Sequence, residues 1–385
     1  METVIAVPTS RSTNPFTPTF GTSPALLVGR GPVIQEFADA LDDGPGAPGR
    51  ALLLSGQRGV GKTALLNALE DEAKQRGWLT ISETALSGLV DRMTTDHLPR
   101  LLAEHDPRGN VERRFSGFAA PARLGGVNFD TGKRHQPAPS LRSQLTELTG
   151  HLARNGTGVV VTIDEIAPET LADLRAIAAT VQHLFREDRP IAVIMAGLPQ
   201  SVEALLDASG ITFLRRAMHR PLGAVSRAAA ARGLAVPVEE AGRSWEDAAL
   251  SQAVEATRGY PYMLQLVGFH AYRAAGQVIG VTEVAAAVSR ATRDVSSLVH
   301  RPTISSLTAV EVAFLEAMAQ DEGPSLTAEI AQRMGKTTVY VGQYRRRLLD
   351  KHIITAPERG VVSLAMPGMR EHLRGEISAG ELDFW

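Results

Sequence analysis

The sequence predicts an α/β core built on a parallel sheet, followed by a helical region and a C-terminal winged helix-turn-helix. Three observations predict it. Apolar, β-rich runs at Ala51 to Leu54, Gly158 to Ile163 and Ile191 to Ala196 indicate strands buried on both faces, with helical periods between them. A glycine-rich loop separates the first of these strands from a helix. From Leu307 to Arg374, a helix, a short helix and a longer basic helix precede two short strand-like pieces.

In chain order, residues 1–24 are rich in Thr, Ser and Pro without a hydrophobic period, and are expected to form an extended arm that lies against the first domain or stays mobile. Residues 25–222 form the core, starting with a helix over Pro32 to Leu41. The loop from Asp42 to Arg50 contains GPGAPG, which matches a dinucleotide-binding pattern only formally. Two prolines occupy it, and it precedes a strand instead of following one. After the strand Ala51 to Leu54 come a helix from Lys62 to Arg76 and a strand from Trp78 to Glu83. Residues from about 84 to 154 read as less regular and contain GFAAPARLGGVNFDTGKRHQP, a hairpin or loop insertion, and a helix from Glu169 to Arg186 joins the last two core strands. Residues 223–300 are Ala-rich and helical, with a break expected at Arg301 and Pro302. Residues 303–375 form the winged helix and residues 376–385 a tail.

Composition narrows the chemistry. The chain has 385 residues, 42 acids against 40 bases, and no cysteine. Such a length predicts more than one domain. Disulfides, thiolate zinc sites and cysteine nucleophiles are excluded. A net charge of −2 argues against coating of nucleic acid, though not against one local basic surface. Aromatics at 5% argue against stacking platforms for single strands. HExxH and GxSxG patterns are absent, so the scattered histidines read as surface or core filler. No run is long enough to span a bilayer, and no basic segment followed by an apolar one opens the chain. A cytoplasmic location is expected.

Gly56-Gln57-Arg58-Gly59-Val60-Gly61-Lys62-Thr63 fits GxxxxGK[ST]. Glycines let successive N–H groups curl around phosphate oxygens, and the helix beginning near Lys62 adds its positive end. Lys62 would reach the β- and γ-phosphates, and the Thr63 hydroxyl would help hold Mg²⁺. A chance match in a chain this long arises about once in a hundred sequences, and here a strand leads in and a helix leads out. Gly335-Lys336-Thr337 repeats only the last part of the pattern and follows no strand. Val159 to Ile163 is an apolar strand ending in Asp164 and Glu165. At a strand's carboxyl end Asp164 can bind Mg²⁺ through its water shell, while Glu165 can orient or deprotonate the attacking water. Two solvated acids opening the next helix are the plainer alternative, more so for Glu165.

These residues carry a resemblance to AAA+ ATPases of the initiator-like branch (Orc1/Cdc6-like and STAND-related) over most of the chain. Asn14-Pro15-Phe16 and Leu27-Val28-Gly29-Arg30 resemble that branch's lead-in segment, which implies that Val28, Gly29 and Arg30 contact adenine. Phe213 to Arg216 is similar to the place from which such proteins send an arginine, here Arg215 or Arg216, to a neighbouring subunit's γ-phosphate. A basic surface pair is the alternative reading. Gly259-Tyr260-Pro261-Tyr262 resembles the branch's entrance to the lid helix, which implies nucleotide contacts by Tyr260 and Pro261 and makes residues 223–300 a lid. Two departures stand out. The fourth strand ends Met195-Ala196-Gly197 with no polar sensor, and Arg258 is not inside the lid helix. Both suit a slow nucleotide switch.

In the third helix of the winged module, Val341, Tyr344 and Leu348 recur at inward spacing. Gln343, Arg346 and Arg347 then fall outward, with Lys336, Thr337 and Thr338 at the helix start. The module carries nine Lys+Arg and eight Asp+Glu, so protein binding competes with DNA binding. Arg113, Arg114, Arg123, Lys133 and Arg134 of the insertion could add a basic contact or be a solvated loop.

The expected protein is a slowly hydrolysing ATPase switch using ATP and Mg²⁺. It would self-associate and engage double-stranded DNA, as initiators, loaders or mobile-element regulators do. The alternatives are a STAND-like signalling ATPase whose winged helix binds a protein partner, and a nucleotide-binding scaffold without turnover.

Overall fold

The computed structural model describes residues 13–19, 21–105, 139–208, 213–351 and 353–375. The insertion arginines and lysine between 113 and 134, most of the N-terminal arm and the tail lie outside the described residues.

Helix α1 (Gly31–Asp42) leads to strand β1 (Ala51–Gly56), helix α2 (Lys62–Gln75) and β2 (Leu79–Thr84). Then come α3 (Leu98–His105), α4 (Leu141–Ala153), β3 (Val159–Ile166), α5 (Leu171–Arg186), β4 (Ile191–Gly197), α6 (Pro199–Asp207) and β5 (Met218–Leu222). The five strands form one parallel sheet in the order β2-β3-β4-β1-β5. Alternate residues of the central strands feed two cores. Leu52, Leu54, Val160, Ala192 and Ile194 face one side, and Leu53, Val161, Ile163, Val193 and Met195 the other. That two-sided burial is why the strands read as unbroken apolar runs. β5 escapes such a reading because it is an edge strand, MHRPL, with an exposed proline and the polar His219 and Arg220. The region read as irregular is helical at both flanks, in α3 and α4.

The helical region read as a lid consists of α7 (Arg227–Glu240), α8 (Asp247–Thr257), α9 (Pro261–Ala274) and α10 (Val281–Val295), clipped by a two-residue parallel pairing of β6 (Ser244–Trp245) with β7 (Val278–Ile279). The break expected at Arg301 and Pro302 does not occur. α10 runs on through a π-turn (Ser296–His300) into a further helical turn (Arg301–Ser305). Pro302 is tolerated because it opens that turn, where its missing N–H costs little.

The C-terminal module holds α11 (Ala309–Ala319), α12 (Thr327–Arg333), α13 (Thr338–Asp350) and α14 (Met369–Leu373). An antiparallel three-stranded sheet, β8 (Ser325–Leu326), β10 (Val361–Leu364) and β9 (Ile354–Thr355), accompanies them. β8 is only two residues long and offers no pattern to read. A capping box between Thr308 and Glu311 starts α11. Lys351 reaches the same buried Glu311 at 2.8 Å and pins the end of α13 there. Among the described residues, no helix is long and apolar enough to cross a membrane.

Candidate nucleotide-binding site

β1 ends at Gly56, and the loop that follows turns twice through conformations that disfavour side chains, at Gly59 (φ 74°) and Gly61 (φ 88°). Gly59 is also sterically fixed, since a Cβ there would lie 2.2 Å from the Tyr260 hydroxyl. α2 starts at Lys62, so its free N–H groups face the loop. The Lys62 ammonium donates to the carbonyls of Gly56 (2.9 Å) and Gln57 (3.0 Å). Burial pushes its pKa down to about 8, against the pull of Asp164 and Glu165 and with a push from Arg58. Thr63 Oγ1 donates to Asp164 Oδ2 at 2.5 Å.

Asp164 sits at the end of β3, opposite Thr84 of β2. The pairing of β3 with β4 is irregular between Ile163 and Ile166, a β-bulge in which Glu165 takes φ 54°. The Glu165 N–H donates to Asp164 Oδ1 at 2.8 Å, and its side chain is exposed. A bulge beside a functional strand end re-aims a side chain at the expense of backbone strain. It also bears on the end of β4, where the resemblance implies a polar residue. The bulge seats Ile166 against Gly197, where a Cβ would stand 2.3 Å from Ile166 Cγ1. Any larger residue at the end of β4 would collide. Ser201, buried in the first turn of α6, is a polar side chain that follows there and faces the cleft.

A cleft of about 590 Å³ joins the loop residues 58–63, Asp164, Glu165 and Gly197 to the lid residues Pro261, Tyr262 and Gln265. Much of its remaining wall comes from the segment between Thr17 and Val28. The described part of the N-terminal arm is therefore a strap along lid helix α9. Asn14 donates to the Phe269 carbonyl (3.0 Å) and the Thr17 N–H to Gln265 Oε1 (3.1 Å). Buried Phe16 packs where Gly268 has no side chain. An arm lying on the folded part is expected from the sequence, but its seat on α9 is not, because these bonds run through backbone and short polar side chains.

The remaining expected residues divide. Val28 and Arg30 line the cleft, but buried Arg30 spends its guanidinium on the carbonyls of Gly223 (2.6 Å) and Val60 (3.2 Å). Gly29 (φ 69°) packs against Val225. Tyr260 stands behind the loop, its hydroxyl donating to the Arg58 carbonyl at 2.8 Å, and the Tyr262 N–H donates to the Gly59 carbonyl at 3.1 Å. Arg215 and Arg216 are exposed on a turn before β5 and do not line this cleft, and Arg215 Nε donates to the Leu206 carbonyl. Arg258, the C-cap of α8 at φ 47°, faces the C-terminal module and pairs with Glu371 at 3.3 Å. Glu371, which the sequence counts against a basic face, is thus engaged elsewhere. Lys336, Thr337, Thr338, Gln343, Arg346 and Arg347 are all exposed around α13, with Thr337 also capping it through the Tyr340 N–H.

Among the described residues, no group of three or more His, Cys, Asp or Glu could hold a metal ion. The adjacent Thr63 hydroxyl and Asp164 carboxylate instead fit Mg²⁺, which keeps several waters and takes few protein ligands beside phosphate oxygens.

Residues 26–194 match the family model described as the AAA ATPase domain, and residues 297–373 match a domain family of unknown function. No curated protein sequence matches the chain. Among solved structures, the chain is similar to the Walker-type ATPase of Pyrococcus abyssi. Identity is 17% and the TM-score 0.62, over 90% of this chain and 96% of that one. It is also similar to the ORC2 protein of Aeropyrum pernix in its ADPNP-ADP complexes. There identity is 15% and the TM-score 0.57, over 94% of this chain and 97% of that one. At such identities the likeness is one of fold. The α/β core has the fold of P-loop ATPases, and its residues 26–194 match the AAA ATPase domain model.

Proposed function

We propose that this AAA ATPase domain is a slow, ATP-gated switch whose lid passes the state of the cleft to a C-terminal winged helix that engages double-stranded DNA. One observation carries the reading. Three consecutive residues connect the cleft to the C-terminal module: Tyr260 holds the Arg58 carbonyl of the phosphate loop, and Arg258 holds Glu371 of α14. Gly259 between them is wedged, because a Cβ would lie 2.3 Å from the Val225 carbonyl oxygen. A segment held at both ends without slack transmits displacement.

In this reading Lys62 exchanges its two carbonyl partners for phosphate oxygens. Thr63 and Asp164 hold Mg²⁺, which would neutralise charge developing on the phosphates. Glu165, aimed by the bulge, orients the attacking water. Without a polar residue at the end of β4, hydrolysis is slow. Arg215 and Arg216, exposed and not lining their own cleft, are available to a second copy's nucleotide. The basic helix supports DNA over the signalling alternative, because residues 336–347 hold four cations and no acid.

Hydrogen exchange tests the switch. ADP and a non-hydrolysable ATP analogue should give different protection at residues 369–373 in the wild type, and the same protection in Tyr260→Phe. Equal protection in the wild type, with both nucleotides bound, would overturn it. Fluorescence anisotropy with duplex DNA tests the output. Binding that depends on ATP, weakens steeply with salt and is lost in Arg346→Ala/Arg347→Ala is expected. No binding in either nucleotide state would turn the search to protein partners.

A further inference from the structure

The outward face of α13 carries features that phosphate binding does not need. At about 100° per residue, Val339, Gly342, Gln343 and Arg346 share one stripe, opposite the buried Val341 and Leu348. Val339 is 78% exposed, the highest value among the exposed large hydrophobic residues described. A β-branched, solvated residue in a first turn helps neither helix nor core. Gly342 lies mid-helix, where glycine is unfavourable, and a Cβ there would meet nothing within 4 Å. The fold therefore explains neither residue. Gln343 and Arg346 are exposed and bond to no described residue, whereas Lys336 and Arg347 lie over the rings of Tyr340 and Tyr344.

Resting on the DNA-binding reading, we infer that this stripe reads base edges in the major groove, so that binding is sequence-specific and not only electrostatic. Val339 takes the methyl group of a thymine, Gln343 the N6/N7 edge of an adenine, and Arg346 the O6/N7 edge of a guanine. Gly342 removes the side chain that would hold the helix off the groove floor. From Val339 to Arg346 the helix rises about 10 Å, roughly three base-pair steps. The preferred duplex should thus place a thymine, an adenine and a guanine within one short window. The absence of acids between residues 336 and 347 suits DNA over an acidic or apolar protein groove, and an exposed valine flanked by free amide and guanidinium groups matches a base-edge surface.

The test uses the full chain with an ATP analogue and a pool of short duplexes with a randomised centre, selected by binding and sequenced. A motif containing thymine, adenine and guanine is expected. Replacing its thymine with deoxyuridine, which lacks only the methyl group, should weaken wild-type binding about fivefold and leave Val339→Ala indifferent. Gln343→Ala and Arg346→Ala should each relax one position of the motif. Gly342→Ala should raise the melting temperature while weakening binding to the selected duplex, a split that a structural role would not produce. Salt-sensitive binding to the pool without enrichment overturns base readout and leaves the DNA reading standing. So does a motif that the three alanine variants do not alter. No binding to the pool with either nucleotide overturns both, and points to a protein on the same face.

Discussion

The phosphate-loop cleft and the outer face of α13 hold their polar groups in opposite ways. In the cleft, Lys62, Thr63, Arg30 and Tyr260 are already bonded, to loop carbonyls or to Asp164, and Gly59, Gly61 and Glu165 sit at positive φ. On α13 the stripe is regular helix with free side chains. A site built from strained backbone is preorganised: ligand atoms displace existing partners at little cost in ordering. A site built from free side chains must order them on binding, and gains adaptability.

The largest effect that should sharpen this contrast is at Glu165. Glu165→Gln keeps the bulge and the backbone bond to Asp164, so nucleotide affinity should stay within about twofold while turnover falls by about 10²-fold or more. Single-turnover phosphate release and nucleotide titration separate the two quantities. Unchanged turnover would remove Glu165 from catalysis and favour a scaffold.

His300 should give the next largest effect. It is 1% exposed in the π-turn between lid and C-terminal module, donates from Nε2 to the Pro367 carbonyl at 3.0 Å, and leaves Nδ1 buried without a partner. Burial first, then the His372 ring 5.5 Å away, holds its pKa down to about 4, against the pull of the Pro367 carbonyl and Glu371. The unfolded chain binds the proton first on acidification. Stability is therefore complete above about pH 6.5 and declines towards pH 4, by about 3 kcal/mol at most from this group. Chemical denaturation at pH 7 and pH 5 measures it. His300→Gln keeps a donor for Pro367 and should flatten the profile; an unchanged slope would assign the loss to other groups.

Lys62 titrates at the other end of the pH scale and reports on the cleft itself. Its pKa of about 8 lies below the unfolded value of 10.5, so the folded lysine gives up its proton first as pH rises. Stability from this group therefore increases between those values while phosphate affinity declines, by up to about tenfold per pH unit. ADP binding should take up a proton at pH 8–9 and little at pH 7. Calorimetry in two buffers of different ionisation enthalpy reads this directly, and uptake that persists in Lys62→Arg would place the titrating group elsewhere.

The contrast also governs what could be read in the sequence. Strained backbone demands glycines at fixed spacing, and buried strands demand continuous apolar runs, so the loop, β1, β3 and β4 are legible by residue type. The bulge at Glu165 has no such signature; only Gly197, at the place of an expected polar residue, hints at it. The strap's seat escaped because bonds such as those of Asn14 and Thr17 to α9 connect residues about 250 positions apart through short polar groups. On α13 the exposed cations could be read as a helix face, whereas the meaning of Val339 and Gly342 needed the burial of Val341 and Leu348 behind them.

The smallest expected effect tests what joins the two regions. Arg258 and Glu371 are 64% and 34% exposed, and an ion pair in that setting contributes about 1 kcal/mol or less. Its value as a link lies in geometry. Arg258 is held at φ 47°, two residues from the Tyr260 bond to the phosphate loop, and one Glu371 oxygen is buried without a partner. Arg258→Ala and Glu371→Gln should each shift ADP affinity by severalfold at most, and the double variant by no more than either single one. By linkage, the same factor should appear in the nucleotide dependence of hydrogen exchange at residues 369–373. The charge-reversed pair, Arg258→Glu with Glu371→Arg, should restore part of the coupling. Additive effects of the two single variants would mean that the cleft and the C-terminal module communicate by another route, and the π-turn contacts of His300 with Pro367 and of Ser296 with His372 would be varied next.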